Sequence, residues 1–260
     1  MGIGAEKNFI IMRKLFIYNC LTLLFAVMTT LSFTACGGGD GDDTDYAAIA
    51  AMQGALGGGA SEPLIPYSRA VDLGLSVKWA NCNVGAEYPW EYGGYYAWGE
   101  TKEKYSFDDF ALWSTYKYCN GSHDSMTKYC TSSNYGRVDN KTTLEPTDDV
   151  ATVKWGGAWR MPTRAEQDEL RNKCTWEWTT LNGIKGYRVT GPNGNYIFLP
   201  AAGGPGAAGF YEGNYWSSSL SSSHSSAADY IIFRYDGFYN TIDWDDNGRN
   251  NAQSVRPVCK

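Results

Sequence analysis

Apolar positions fall into three regimes along the chain. Leu15 to Phe33 is an almost unbroken apolar run, opened by Arg13 and Lys14 and closed by Phe33-Thr34-Ala35-Cys36 ahead of GGGDGDD. A short basic start, an apolar middle and a small-residue ending predict a secretory signal peptide over 1–35 rather than folded structure. About 20 apolar residues would also span a membrane as one helix, but the small residues and cysteine at the end belong to a cleaved signal and not to an anchor. Met12 makes a better start than Met1, because the charged region then opens the peptide. Residues 36–62 carry glycine, alanine and acid with little to bury, the composition of a flexible tether with one weak helical turn around Tyr46 to Leu56. From Pro63 to Lys260 the apolar residues come in short runs broken by glycine and asparagine, over 198 residues, enough for one sizeable core.

Within that third regime the pattern predicts particular elements. MPTRAEQDELRNKC reads as a helix, with Thr163 as N-cap, Glu166 three residues on as its capping-box partner, and Leu170 as the core contact. TWEWTTLNGIKGYRVTG then reads as a hairpin turning at Asn182 and Gly183, and GPNGN is a second turn before the buried-strand run YIFLPAAG. AVDLGLSVKWANCNVGA opens the domain with a strand and SVRPVCK closes it with another. Near the C-terminus, period-two alternation from Asp229 to Arg234 puts Ile231 and Phe233 on one face and Tyr230, Ile232 and Arg234 on the other. Likewise Ile242 and Trp244 are expected to point inward while Thr241, Asp243 and Asp245 point out.

Composition narrows the class. All ten tryptophans lie between Pro63 and Lys260, and with the many glycines they suggest short strands, long loops and few helices. Cleavage after residue 35 takes away Lys7, Arg13, Lys14 and Glu6, leaving 19 basic against 27 acidic residues, a net charge of −8. Such a chain has no electrostatic case for nucleic acid or for an anionic membrane surface. The residues before Cys36 resemble a bacterial lipobox, which implies lipidation of that cysteine and membrane attachment through the lipid alone. Asp40, Asp42 and Asp43 behind it resemble the acidic export signal of Bacteroidetes surface lipoproteins, which implies the outer membrane facing the exterior; a merely solubilising linker is the other reading.

AVDLGLSVKWANCNVGA, YYAWGET, WGGAWRMPTRAEQDEL, YIFLPAAG, YWSSS and SVRPV, in this order across residues 68–258, together resemble the bacterial lipoprotein family named after the Fibrobacter succinogenes major paralogous domain. The resemblance implies an α+β fold of C-type lectin-like type, related to the formylglycine-generating enzymes, with short strands, long loops and one or two helices. It also implies pairing of the first and last strands, joining Val77–Asn81 to Val255–Val258. Members of this group resemble the variable proteins of diversity-generating retroelements, whose C-terminal segment is rewritten by adenine-specific mutagenesis. Asparagine codons changed at either adenine never become Trp, Lys, Glu, Gln or Met. Between Glu212 and Gln253 the chain has not one Lys, Glu, Gln or Met in 40 residues, and only Trp216 and Trp244 fall outside the reachable set. Loop composition by itself also favours Ser, Gly, Asn and Asp.

On this reading segment 215–252 is variable, and the face over about 228–251 is the binding site for an unidentified protein or glycan. Its contact residues are Tyr230, Ile232, Arg234, Tyr235, Asp236, Phe238, Tyr239, Thr241, Asp243, Asp245, Asp246, Asn247, Asn250 and Asn251. Tyrosine offers large contact area at small entropic cost, and Asn and Asp adapt their hydrogen bonds, as in antibody loops. Arg249 serves equally as scaffold or as contact.

Other chemistries fit less well. DWDDNG, Asp243 to Gly248, matches the front of an EF-hand calcium loop, but Ser254 stands where the bidentate Glu is required, so a turn is expected there and no cofactor, calcium remaining the one candidate. The Glu-Pro-Asn and Trp-Asn-Asp sugar motifs of calcium-dependent animal lectins do not occur. His123 and His224, the only histidines, lie in a turn and a serine run and are expected to be solvated. Glu166 and Glu169 read as cap and polar face. Formylglycine-generating enzymes need a reactive cysteine pair near the C-terminus, and Cys259 alone does not supply one. Cys82, Cys119, Cys130, Cys174 and Cys259 remain for disulfides, an odd count. Cys119 and Cys130 flank a turn-forming interval and are the preferred pair, Cys174 with Cys259 would resemble the lectin-type bridge, and all five staying reduced and buried is the third possibility. The expectation is therefore a monomeric, non-catalytic surface lipoprotein with a diversified binding face. A fixed-specificity adhesin or structural lipoprotein of the same fold is the alternative, and a formylglycine-generating-like enzyme the third.

Overall fold

The computed structural model describes residues 69–106, 112–204, 211–235, 237 and 240–260. The signal segment, Cys36, the tether, and Asp236, Phe238 and Tyr239 lie outside the described residues. A compact unit runs from Ser61 to Lys260. Its described part is built of small antiparallel sheets with two helices, a mixed α+β architecture.

The two ends of the unit meet in one sheet. Strand β1 (Ala70–Val71) pairs with β2 (Lys78–Ala80), whose other side takes the last strand, β11 (Val258–Cys259), with Val258 opposite Trp79. The amide of Ala80 donates to the Pro257 carbonyl at 2.8 Å and that of Val84 to the Val255 carbonyl at 3.0 Å, which extends the contact beyond the ladder. The expected joining of first and last strands is thus present. A second small pairing joins β3 (Tyr96–Ala97) to β10 (Ala252–Gln253).

Helix α1 spans Val150–Trp155, with Asp149 accepting from the Thr152 amide as its cap. Helix α2 spans Arg164–Lys173 and carries the full capping box, Thr163 accepting from the Glu166 amide and Glu166 from the Thr163 amide. Leu170 is fully buried under it. The chain then turns into β4 (Thr175–Leu181) and β5 (Ile184–Thr190), with Leu181 opposite Ile184. Asn182 at φ 47° and Gly183 at φ 81° both take the left-handed region that a two-residue hairpin turn requires. Strand β6 (Tyr196–Pro200) completes that sheet.

The third sheet has the order β7 (Glu212–Leu220), β8 (Ala227–Tyr235), β9 (Asn240–Gly248). Strand β8 lies between two cores. Ile231 and Phe233 pack with Leu73, Leu170, Tyr187 and Leu199 on one side. Tyr230 and Ile232 pack with Trp98, Tyr129, Trp216 and Val255 on the other. Here the structure corrects the period-two expectation: Tyr230 and Ile232 are each only 6% exposed, so neither faces solvent. The reason is tertiary. Residues from Trp98 to Met161 supply a second apolar layer, which covers the face that alternation assigned to water.

Candidate functional site

The exposed part of the C-terminal segment lies at the end of β8 and along β9. Arg234, opposite Thr241 in the ladder, projects into solvent and its Nε donates to Glu212 Oε2 at 2.6 Å. Thr241, Asp243 and Asp245 are exposed along β9, and Asp246, Asn247 and Asn251 are half-buried. The half-buried Tyr235 stacks on Trp178 of β4, ring centroids 4.8 Å apart and planes within 18°. Tyr211 lies beside both rings, at 6.2 Å from Trp178 and 6.5 Å from Tyr235. Lys185 donates to the Tyr211 hydroxyl at 2.9 Å, and this bond holds the phenol below its ordinary range. Tyr211 sits at φ 63°, a conformation costly for a bulky side chain and one that occurs where surrounding structure imposes it. The end of the sheet therefore offers two surfaces: the Tyr235–Trp178–Tyr211 aromatics with Lys185 on one face, and Arg234, Thr241, Asp243 and Asp245 on the other.

Trp178, Tyr211 and Lys185 belong to the aromatic surface although alternation along the C-terminal segment did not point to them. The hairpin of β4 and β5 brings two of them in from more than forty residues away. The only local signal was the density of aromatics in TWEWTT, which reads equally as core.

Several expected contact residues lie elsewhere. Tyr230 and Ile232 are core, and burial before all else pushes the Tyr230 hydroxyl up to about 12. Asn250 is buried, at 6% exposure. Trp244, expected inward, is 40% exposed at the sheet edge, one face of its indole covered by the Arg164 guanidinium 3.2 Å from the ring centroid. Ile242 is half-buried against the Phe233 core. Arg249 is scaffold. It is fully buried, and its guanidinium donates to the Tyr116 hydroxyl and to the carbonyls of Tyr129, Ser225 and Lys128 at 2.8–3.0 Å.

Beside α2 lies a second polar cluster. Asp229 is buried, with Arg164 Nη1 3.6 Å from its carboxylate and Asp246 opposite it in the ladder. Burial, together with the charges of Asp246 and Asp168 and against the pull of Arg164, pushes the Asp229 carboxyl up to about 6. Asp246 accepts from the Ser221 hydroxyl at 2.6 Å and lies 3.7 Å from the exposed His224. His123 is exposed as well.

DWDDNG is not a turn: Asp243 to Gly248 run extended within β9. Strand geometry spreads Asp243, Asp245 and Asn247 along the chain instead of winding them round a point, and each side chain accepts from the amide of the next residue. Among the described residues no group of three or more His, Cys, Asp or Glu side chains is placed to hold a metal ion. All five cysteines of the domain are free. The expected Cys119–Cys130 pair does not form, since each thiol instead donates to a nearby carbonyl at 3.1 Å, Cys119 to Trp113 and Cys130 to Ser132. Cys174 and Cys259 are likewise unpaired. Burial raises the thiols of Cys82, Cys259 and Cys174, the last to about 11, opposite to the direction a reactive thiolate requires.

Compared with protein-family models, curated proteins and solved structures, the chain gave no match in any of the three.

Proposed function

We propose that the protein is a lipid-anchored outer-membrane surface protein, with a C-type lectin-like domain that binds a protein or glycan ligand without catalysis. Its binding surface is the exposed row of Arg234, Thr241, Asp243 and Asp245 along the end of β8 and β9, with the Tyr235, Trp178 and Tyr211 cluster on the sheet's other face as a second contact area. The observation that carries this reading is the contrast within one sheet. Ile231, Ile232 and Phe233 are locked between two cores, while Arg234, Thr241, Asp243 and Asp245 beside them are exposed on that rigid frame. Rigid support under exposed aromatic and polar side chains is what a paratope needs. The meeting of first and last strands supports the lectin-like comparison, and the raised thiols give thiol catalysis no support. The retained exposed vocabulary, with no Lys, Glu, Gln or Met from 213 to 252, supports diversification of this surface.

Sequencing the DNA around the gene tests it. A nearby non-coding copy of the codons for 216–258, differing where it carries adenine and accompanied by a reverse transcriptase gene, is expected. Its differences should fall at exposed positions such as 234, 241, 243 and 245 and spare 231, 233 and 249. Finding no such copy would move the assignment to an adhesin of fixed specificity on the same surface.

A further inference from the structure

The third sheet has two edges, and they are treated differently. The outer edge of β7 is covered by other parts of the chain: Trp216, Ser218 and Leu220 donate their amides to the carbonyls of Ser254, Pro162 and Thr142 at 2.7–3.0 Å. Strand β9 is the terminal strand on the other side. It is nine residues long, about 30 Å of edge at the usual rise. An edge of that length is a template for another strand.

Ladder geometry fixes which groups face outward. Since Trp216 sends its amide away from β8, the Trp216–Tyr230 pair is the non-bonded kind, and Tyr230 bonds to its β9 partner Asp245. The amides of Ile242, Trp244, Asp246 and Gly248 then point away from the sheet. The last three are already occupied, each by the side chain immediately before it: Asp243 Oδ1 accepts from Trp244 at 2.8 Å, Asp245 Oδ1 from Asp246 at 2.9 Å, and Asn247 Oδ1 from Gly248 at 2.8 Å. Two neighbours hold the outer side chains in place. Arg171 of α2 pairs with Asp243, and Asn251 donates to Asn247 at 2.8 Å.

The geometry points to a self-capped edge: Asp243, Asp245 and Asn247 close β9 against strand addition by a second copy of this chain. The short Asx side chain matters, because it reaches the next amide. This assignment gives DWDDNG a purpose besides ligand contact, and it holds for the residues this chain carries at 243, 245 and 247.

Analytical ultracentrifugation of the purified protein tests it with two triple variants. Asp243→Ala, Asp245→Ala, Asn247→Ala removes the caps; Asp243→Glu, Asp245→Glu, Asn247→Gln keeps both charges but lengthens each side chain past the next amide. Both are expected to dimerise with an apparent Kd at least about tenfold below that of the native chain. A monomeric Ala variant overturns the assignment. So does a Glu/Gln variant that stays monomeric while the Ala variant associates, since charge repulsion would then be the barrier. Hydrogen exchange on the native chain reads the caps without any variant: the amides of Trp244, Asp246 and Gly248 should exchange at least about tenfold more slowly than an unprotected amide, and exchange at the unprotected rate sinks the idea.

Discussion

Asp148 sits among four donors: Lys128 Nζ at 2.5 Å, the Tyr129 hydroxyl at 2.6 Å, the Tyr118 hydroxyl, and Lys117 Nζ at 3.5 Å. Burial acts to raise its carboxyl, and the bonds from Lys128, Tyr118 and Tyr129 overcome this and hold it down at about 2. A carboxyl depressed in the fold contributes stability that is present above its ordinary value of 3.8 and lost as pH falls through about 2. Asp229 has the opposite sign. Raised to about 6, it contributes stability that is full below 3.8 and lost as pH rises through 6. Urea unfolding of Asp148→Asn at pH 7 should therefore show a loss of about 2 kcal/mol that shrinks towards pH 2. Asp229→Asn should gain about 2 kcal/mol at pH 7 and nothing near pH 4. Equal pH profiles for the two variants would contradict both assignments. Arg249, too, is decided at this scale: Arg249→Leu removes the donor to the Tyr116 hydroxyl, which keeps its own bond to the Trp98 carbonyl, and takes the guanidinium from the carbonyls of Tyr129, Ser225 and Lys128, and a loss of about 3 kcal/mol or more in thermal unfolding is expected.

Burial on both faces of β8 makes a prediction for the element. Ile232→Ala should cost about 2–5 kcal/mol, as much as the same truncation at Ile231, whereas Thr241→Ala and Arg234→Ala should stay within about 0.5 kcal/mol. A mild Ile232→Ala would restore the solvent-facing assignment. Close approach to β7 also depends on one glycine. A Cβ on Gly213 would stand 2.1 Å from the Phe233 ring, which is fully buried and has nowhere to go. Gly213→Ala should therefore lower the melting temperature, by overpacking worth about 1–3 kcal/mol. The helix and hairpin were legible before the structure because their signals are short-range: Thr163 and Glu166 cap within one turn, and Asn182-Gly183 fixes its own left-handed turn. The inner and outer faces of β8 were not, because alternation assumes a single core.

Across the whole molecule, buried arginine ties distant segments together. Arg256, near the last strand, donates to Asn83 Oδ1 and to the carbonyls of Ala80 and Phe198 at 2.8–3.0 Å, joining the first sheet to β6. Arg249 does the same for Lys128, Tyr129 and Ser225. The sequence by itself determined the short strands with few helices, the capped helix, and the hairpin and its register, since capping, turn chemistry and apolar runs act over a few residues; the pairing of the chain's ends was implied only by the family resemblance. Tertiary structure alone decided that Tyr230, Ile232, Asn250 and Arg249 are interior, that Trp178 and Tyr211 join the exposed surface, and that DWDDNG is a capped edge. Each depends on what residues far along the chain lay against it, and a one-dimensional pattern holds no distance between them.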